Sequence, residues 1–152
     1  MNLRRRELLA WPLLAAAGGL RAATLPAPQS LAQELDRALR QRRPLLVMAS
    51  LDGCPFCMTV RDNFLGPLRA QTGQPIAQLD LGSLRPVAGF DGRASTHAQL
   101  LREWKVGIAP SVLFFGRGGH EVAERLVGAS IPDFYGAYLD QRLDIALKSI
   151  AG

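Results

Sequence analysis

The apolar run from Leu45 to Ser50 constrains the fold of this chain more than any other segment. Its residues are uncharged and do not alternate with polar ones, a pattern typical of a strand buried on both faces of a sheet. Such a strand needs a layer of helices on each side. The run leads directly to Asp52-Gly53-Cys54-Pro55-Phe56-Cys57, so a pair of cysteines follows a central strand.

Local signals predict two helices near this strand. The capping-box signature that begins at Ser30 predicts a helix to about Gln41. A second, short helix is expected to begin at the cysteine motif and to reach about Phe64, ended by Gly66-Pro67.

The next segment alternates between strand, loop and helix signals. Residues 75–81 show the apolar and polar alternation of a strand. Residues 82–94 are rich in Gly, Arg, Asp and Pro, which indicates an exposed loop. Ser95 or Thr96 is expected to cap a helix that continues to about Lys105.

The C-terminal part of the chain predicts a hairpin and a final helix. Residues 111–115 and 121–127 have strand character and flank the glycine-rich turn 116–119. A last helix is expected to start among Ser130, Pro132 and Asp133, with a buried stripe formed by Phe134, Tyr138, Leu139, Leu143 and Leu147. The predicted fold class is therefore α/β, with a mixed sheet of about four strands covered by helices on both faces.

The first 23 residues have the layout of an export signal. Three consecutive arginines, Arg4 to Arg6, precede an apolar stretch and the small residues Ala22 and Ala23. The stretch is shorter than the roughly 20 residues that cross a bilayer as a helix, and the arginine pair partly matches a twin-arginine signal. We therefore interpret residues 1–23 as an export signal, either cleaved after Ala22 or Ala23 or kept as an anchor. Residues 24–29 are a linker and 30–152 a single domain.

This leader also explains most of the positive charge. The chain has a net charge of +5. Four of its arginines and only one of its acidic residues, Glu7, lie in residues 1–23, so the rest of the chain carries a net charge of only +2. A weak excess of that size does not form the basic surface that nucleic-acid binding requires. We expect no nucleic-acid partner.

The two cysteines of the chain lie in one C-x-x-C motif, which indicates reactivity. A disulfide between them closes a very small loop and adds little to stability. Cys54 falls where a strand ends and a helix begins, so unpaired N–H groups and the helix dipole favour its thiolate. Pro55 suits the first helical turn. Cys57 follows nearly one turn later, so we interpret Cys54 as the nucleophile and Cys57 as the resolving thiol.

The alternative chemistry for a C-x-x-C motif is half of a zinc site. Completing one would require His97 and His120, which have no partner spacing typical of zinc ligands. We interpret both histidines as surface residues and expect no metal.

These motifs together resemble the thioredoxin superfamily. The likeness comes from Cys54-Pro55-Phe56-Cys57 after a buried strand, and from Trp104-Lys105-Val106-Gly107-Ile108-Ala109-Pro110-Ser111. It covers about residues 30–150 and implies a thioredoxin fold. It further implies that Pro110 is a cis-proline facing the active site and that the Ala109 backbone binds substrate in β-fashion. The residues alone also allow a trans Pro110 that simply begins a strand.

The likeness extends to periplasmic thioredoxin-like proteins. These include SoxW-like proteins and the C-terminal domain of the DsbD reductase, whose Phe-x-x-Pro pattern is similar to Phe64-Leu65-Gly66-Pro67. The resemblance implies a thiol-disulfide oxidoreductase that needs no cofactor beyond the Cys54–Cys57 disulfide.

Two departures from the family bear on the chemistry. Cytoplasmic thioredoxins carry a buried Asp and a Lys where this chain has Met48 and Gln78, so the usual proton acceptor is absent. Asp52 is the nearest carboxylate, and we interpret it as a solvated loop residue. The oxidase DsbA carries a His inside its motif. Phe56 has no such charge, which disfavours a strong oxidant and favours an apolar docking surface for substrate.

The resulting hypothesis is a periplasmic oxidoreductase that reduces or isomerises protein disulfides. Its expected partners are protein thiols and disulfides and a membrane thiol reductase of the DsbD or CcdA type. The sequence also allows two alternatives. One is a weak dithiol oxidase or glutaredoxin-like protein, and the other is a non-catalytic binding module with the same fold.

Overall fold

The computed structural model describes residues 24–129 and 132–152. The predicted leader, residues 1–23, and the predicted helix-start residue Ser130 lie outside the described residues. The helices are α1 (Leu31–Arg40), α2 (Pro55–Val60), α3 (Gly66–Thr72), α4 (His97–Glu103) and α5 (Pro132–Ala151). The strands are β1 (Leu45–Ser50), β2 (Ile76–Asp80), β3 (Pro86–Ala88), β4 (Ala94–Thr96), β5 (Ser111–Phe115) and β6 (Glu121–Val127).

A four-stranded mixed sheet with the order β2-β1-β5-β6 forms the centre of the fold. Strand β1 pairs with β2 in parallel and with β5 antiparallel, and β6 continues the sheet antiparallel to β5. Every residue of β1 is buried, which confirms the prediction of a strand covered on both faces.

The two faces of the sheet carry two separate apolar cores. Leu46 and Met48 of β1 point to the face covered by α2 and α5, whereas Leu45, Val47 and Ala49 point to the face covered by α1 and α4. This alternation follows from the period of two in a strand. The α/β class and the helices on both faces are as expected.

The segment before α1 is extended and packs along the sheet. The carbonyl oxygen of Pro26 accepts a hydrogen bond from the N–H of Gln78 at 2.9 Å, and that of Gln29 accepts one from Ala88 at 2.9 Å. Leu25 is buried in the core on the α2 side. Pro26 therefore pairs with the outer edge of β2 and Gln29 with β3, so the extended linker expected here packs against the domain.

The helix that begins at the cysteine motif does not end at Gly66-Pro67. A π-helical turn, Arg61–Leu65, connects α2 to α3, and its wider spacing lets the N–H of Gly66 donate to Arg61, five residues earlier. Proline in a helix lacks a donor and clashes with the carbonyl four residues before it. The π turn places Pro67 in the first turn of α3, where neither problem arises.

Residues 82–94 are not wholly an exposed loop. Strands β3 and β4 pair antiparallel within and beside this segment, and Val87 is buried in the core on the α4 side. Three-residue strands are too short for the alternation signal to show in sequence. Thr96 caps α4 by accepting a hydrogen bond from the N–H of Gln99, so the second of the two expected caps is the correct one.

The buried stripe of α5 lies one residue later than expected at its start. Phe134 is 61% exposed and Tyr138 46% exposed, while Tyr135, Leu139, Leu143, Ala146 and Ile150 are buried. The ring of Tyr135 packs against Phe64 at a centroid distance of 5.0 Å, and this contact sets the rotation of the helix. Leu139 and Leu143 are confirmed, and Leu147 packs at the margin of the core.

Within residues 24–129 and 132–152, no helix combines the length and the apolar character that crossing a bilayer demands.

Candidate active site

The cysteine pair lies at the carboxyl end of the central strand. An exposed loop, residues 51–53, leaves β1 and turns at Gly53, whose φ of +67° is a conformation that favours glycine. Cys54 then caps α2, and its Sγ accepts a hydrogen bond from the N–H of Cys57 at 3.1 Å. The two cysteines form a disulfide with a Cα–Cα distance of 5.2 Å.

The two sulfurs differ in their access to solvent. Cys57 is 1% exposed and packs into the core on the α2 side, together with Met48 and Val112. Cys54 lies at the margin of that core and is partly exposed. Pro55 occupies the first helical turn, as expected. A bulky disulfide in solution can therefore reach Cys54 but not Cys57.

Pro110 lies at the same end of the sheet as Cys54. Ser111 pairs with Ala49, so Pro110 is placed beside the point where β1 ends and the cysteine loop begins. The Ala109–Pro110 peptide bond is cis. The carbonyl oxygen of Pro110 accepts a hydrogen bond from the N–H of Gly128 at 2.7 Å, which attaches this segment to the end of β6.

The backbone beside Pro110 is available for pairing. In the part of the chain that the structure describes, the N–H and the C=O of Ala109 make no hydrogen bond with other backbone groups. Ala109 itself is partly exposed. An extended peptide could satisfy these groups in the manner of an added strand.

Exposed apolar side chains lie in the cysteine loop, in α2 and in the segment before Pro110. Phe56 is 59% exposed and Ile108 56% exposed, and Leu51 in the cysteine loop is also exposed. Exposed apolar groups clustered at one end of a sheet mark a surface that contacts other molecules. The exposure of Phe56 fits the docking surface expected of it.

Among the residues that the structure describes, the core beneath the cysteines contains no carboxylate. Met48 is fully buried and pairs with Gln78 on β2, the two positions at which thioredoxins carry Asp and Lys. The buried polar side chains of residues 24–129 and 132–152 are Ser50, Gln74, His97 and Ser111. Gln78 donates a hydrogen bond from Nε2 to Asp80 at 2.8 Å, while its Oε1 is buried without a partner. Asp52 is exposed, in agreement with its interpretation as a loop residue.

His97 is not a surface residue. Its side chain is fully buried, and its Nδ1 accepts a hydrogen bond from the N–H of Asp80 at 3.1 Å. Burial lowers the pKa of His97, and the nearby Asp80 carboxylate partly opposes that shift. A lone histidine at a helix start gives no sequence signal for this contact, because it depends on how α4 docks on β2. His120 is exposed, as expected.

Among the described residues, no three or more His, Cys, Asp or Glu side chains are grouped so that they could hold a metal ion.

We expect the two thiols of the reduced protein to titrate differently. Cys54 accepts a backbone N–H bond at a helix N-terminus, which favours its thiolate, so its pKa should lie below the ordinary thiol value of about 8.5. Burial among apolar side chains should raise the pKa of Cys57. Alkylation of the reduced protein across a pH series, with the modified cysteine identified by mass spectrometry, measures both. Equal titration of the two thiols would contradict the assignment.

Comparison with known proteins shows the fold. No protein-family model matches the chain, and no curated protein matches it. Among solved structures, it is similar to a DsbH oxidoreductase, with a TM-score of 0.53 and 18% identity over 95% of each chain. It is also similar to a thioredoxin from Trypanosoma brucei brucei, with a TM-score of 0.54 and 14% identity over 86% of this chain and 96% of that one. It is also similar to a mutant thioredoxin from Halobacterium salinarum NRC-1, with a TM-score of 0.50 and 21% identity over 82% of this chain and 96% of that one. The chain has the thioredoxin fold.

Proposed function

We propose that this thioredoxin-fold chain is a thiol-disulfide oxidoreductase that acts on protein disulfides through Cys54 and Cys57. The observation that carries the proposal is the asymmetry of the pair: Cys54 is accessible at a helix N-terminus, and Cys57 is buried one turn later. A disulfide with only a structural role does not need an accessible sulfur, whereas thiol-disulfide exchange requires one that a client disulfide can reach.

The reaction that this geometry supports has two steps. The Cys54 thiolate attacks one sulfur of a client disulfide, so that a mixed disulfide forms and the other client sulfur leaves as a thiolate. Cys57 then loses its proton and attacks the Sγ of Cys54, which releases the second client thiolate and closes the Cys54–Cys57 disulfide. Two electrons pass from the dithiol to the client. With Met48 in place of a buried carboxylate, the Cys57 proton leaves to solvent or to the departing client thiolate.

The client is proposed to bind beside Pro110. The unpaired backbone groups of Ala109 can hold an extended client segment. The pairing of Ser111 with Ala49 places that backbone next to the cysteine loop. The exposed side chains of Phe56 and Ile108 can supply apolar contact. Holding the client disulfide in line with Sγ of Cys54 accounts for a large part of the rate in such reactions.

The proposed location is the periplasm, and the proposed direction is reducing or isomerising. The arginines and the apolar stretch of residues 1–23 support export. Phe56, which adds no positive charge to stabilise the Cys54 thiolate, supports a reductant more than a strong oxidant. Because an oxidising compartment supplies no dithiol, we propose that a membrane thiol reductase of the DsbD or CcdA type returns electrons to the pair. The resemblance to SoxW-like proteins and to the DsbD domain supports the same assignment.

The proposal is tested by disulfide reduction in vitro. The protein, kept reduced by dithiothreitol, should accelerate insulin reduction well above the rate with dithiothreitol alone, and Cys54→Ser should return the rate to that background. Wild-type turnover equal to that of Cys54→Ser would overturn the enzyme assignment in favour of a binding module. A reduction potential far above that of glutathione, measured by equilibration with it, would overturn the reducing direction in favour of an oxidase.

A further inference from the structure

A shallow groove of about 420 Å³ lies between the end of β2 and the part of the chain that runs from α4 towards Pro110. We propose that it binds an acidic, partly apolar segment of the client whose disulfide is at Cys54. The inference rests on the proposed function, since it assumes that a client docks at Cys54. The residues that line the groove and carry the argument are Leu81, Ala98, Arg102, Lys105, Val106 and Gly107.

The two walls of the groove end beside the cysteine loop. The N–H of Leu81 donates to the carbonyl oxygen of Ser50 at 2.8 Å, the last residue of β1 before that loop. On the other wall, Gly107 precedes Pro110 by three residues, a span of at most about 10 Å for an extended chain. A client segment on the Ala109 backbone therefore reaches the groove within a few residues of its own disulfide.

The chemistry of the groove is apolar with two cations. Leu81, Ala98 and Val106 supply the apolar surface, and Arg102 and Lys105 are exposed. Within the described residues, neither cation has a carboxylate within 4 Å, whereas Arg125 pairs with Glu121 and Arg142 with Glu124.

The acidic side chains next to the lining residues in sequence, Asp80 and Glu103, do not pair with these cations. The carboxylate of Asp80 accepts a hydrogen bond from Gln78 at 2.8 Å instead. Glu103 lies beside Arg102 in the sequence, but its carboxylate accepts a hydrogen bond from Gln99 at 3.1 Å, along the helix. Asp52 lies in the cysteine loop and does not line the groove. An incoming carboxylate would therefore be attracted by two unpaired cations, and an incoming lysine or arginine would be repelled.

The expected effect is a preference among clients. Because both cations are exposed, their attraction is screened by solvent and salt. We expect a reduction rate constant about threefold to tenfold higher for acidic than for basic clients at low ionic strength, with the difference disappearing at high salt.

The test uses synthetic peptides with one internal disulfide. They are identical except for glutamates, glutamines or lysines placed a few residues to one side or the other of the cysteines. The pre-reduced full-length chain is mixed with each peptide, and the rate constant of disulfide reduction is measured at low and high salt. An acidic peptide should be reduced fastest, on at least one side of the disulfide.

Matched variants distinguish the effect of the groove cations from the effect of the net charge of the protein. Arg102→Gln with Lys105→Gln should abolish the preference for acidic peptides, and Arg102→Glu with Lys105→Glu should reverse it. Arg40→Gln with Arg69→Gln is the control, because it removes the same charge from exposed residues at the ends of α1 and α3, remote from Cys54. Circular dichroism confirms that each variant is folded.

The outcomes are distinguishable. Reduction of every peptide without a charge preference, or a preference that the Arg102 and Lys105 variants leave unchanged, overturns the groove proposal alone. No reduction of any peptide, the neutral one included, overturns the proposed function itself.

Discussion

Replacement of Cys57 by alanine is expected to stop turnover and to leave the protein covalently attached to its clients. The accessible Cys54 can still attack a client disulfide, but no second thiol can release the product, since the chain has only two cysteines. Well-oriented intramolecular groups act with effective concentrations of about 10⁵ M or more, far above any external thiol. Turnover should therefore fall about a thousandfold or more, as measured by insulin reduction.

The covalent product identifies the roles of the two cysteines. Cell extracts or a disulfide peptide mixed with Cys57→Ala should give adducts on a non-reducing gel that dithiothreitol removes. The matched Cys54→Ala variant should give none, because its remaining thiol is buried. Adducts formed by Cys54→Ala and not by Cys57→Ala would show that the roles are reversed.

Phe114→Ala is expected to be among the most destabilising single substitutions in this chain. Phe114 is fully buried on β5, opposite Leu46 of β1, in the core that also contains Cys57 and Tyr135. Removing a buried phenylalanine ring costs about 3–5 kcal/mol, a large part of the roughly 5–15 kcal/mol by which domains are stable. Urea unfolding of the full chain at neutral pH measures the change in the free energy of unfolding.

Phe134→Ala is the matched control for this measurement. The same residue type is lost, but Phe134 is mostly exposed on α5, so the change should lie within about 0.5 kcal/mol. A similar loss in both variants would contradict this assignment, because it would mean that Phe134 also packs in the core.

Local patterns were sufficient for most of the elements and for the cysteine pair. The uncharged run Leu45–Ser50 forms a strand that is buried on both faces. This is the structure expected for a continuous apolar run, because a strand with one face in water would alternate apolar and polar residues. The two strands of the C-terminal hairpin, Ser111–Phe115 and Glu121–Val127, have the bounds expected for them. Glycine-rich turns and the alternation of apolar and polar residues can be recognised within a few residues, without knowledge of which segments pair in the fold.

Where prediction was wrong, the outcome depended on backbone geometry or on tertiary contacts that local patterns do not reveal. The helix continues past Gly66-Pro67 because a π turn accommodates the proline, and composition alone cannot distinguish a helix end from such a turn. His97 is buried because α4 docks on the end of β2, where the N–H of Asp80 meets its ring. The orientation of α5 follows from the packing of Tyr135 on Phe64, residues 71 positions apart in the chain.

The sequence by itself therefore determined the α/β class, the central strand and the placement of Cys54 at the start of a helix, since each follows from short-range periodicity and turn chemistry. Only the tertiary structure decided which sulfur is accessible, that Ala109 has unpaired backbone groups, and that Arg102 and Lys105 border a groove beside the cysteine loop. Exposure and unsatisfied hydrogen-bonding groups depend on what the rest of the chain covers. That information arises from long-range packing, which no local pattern contains.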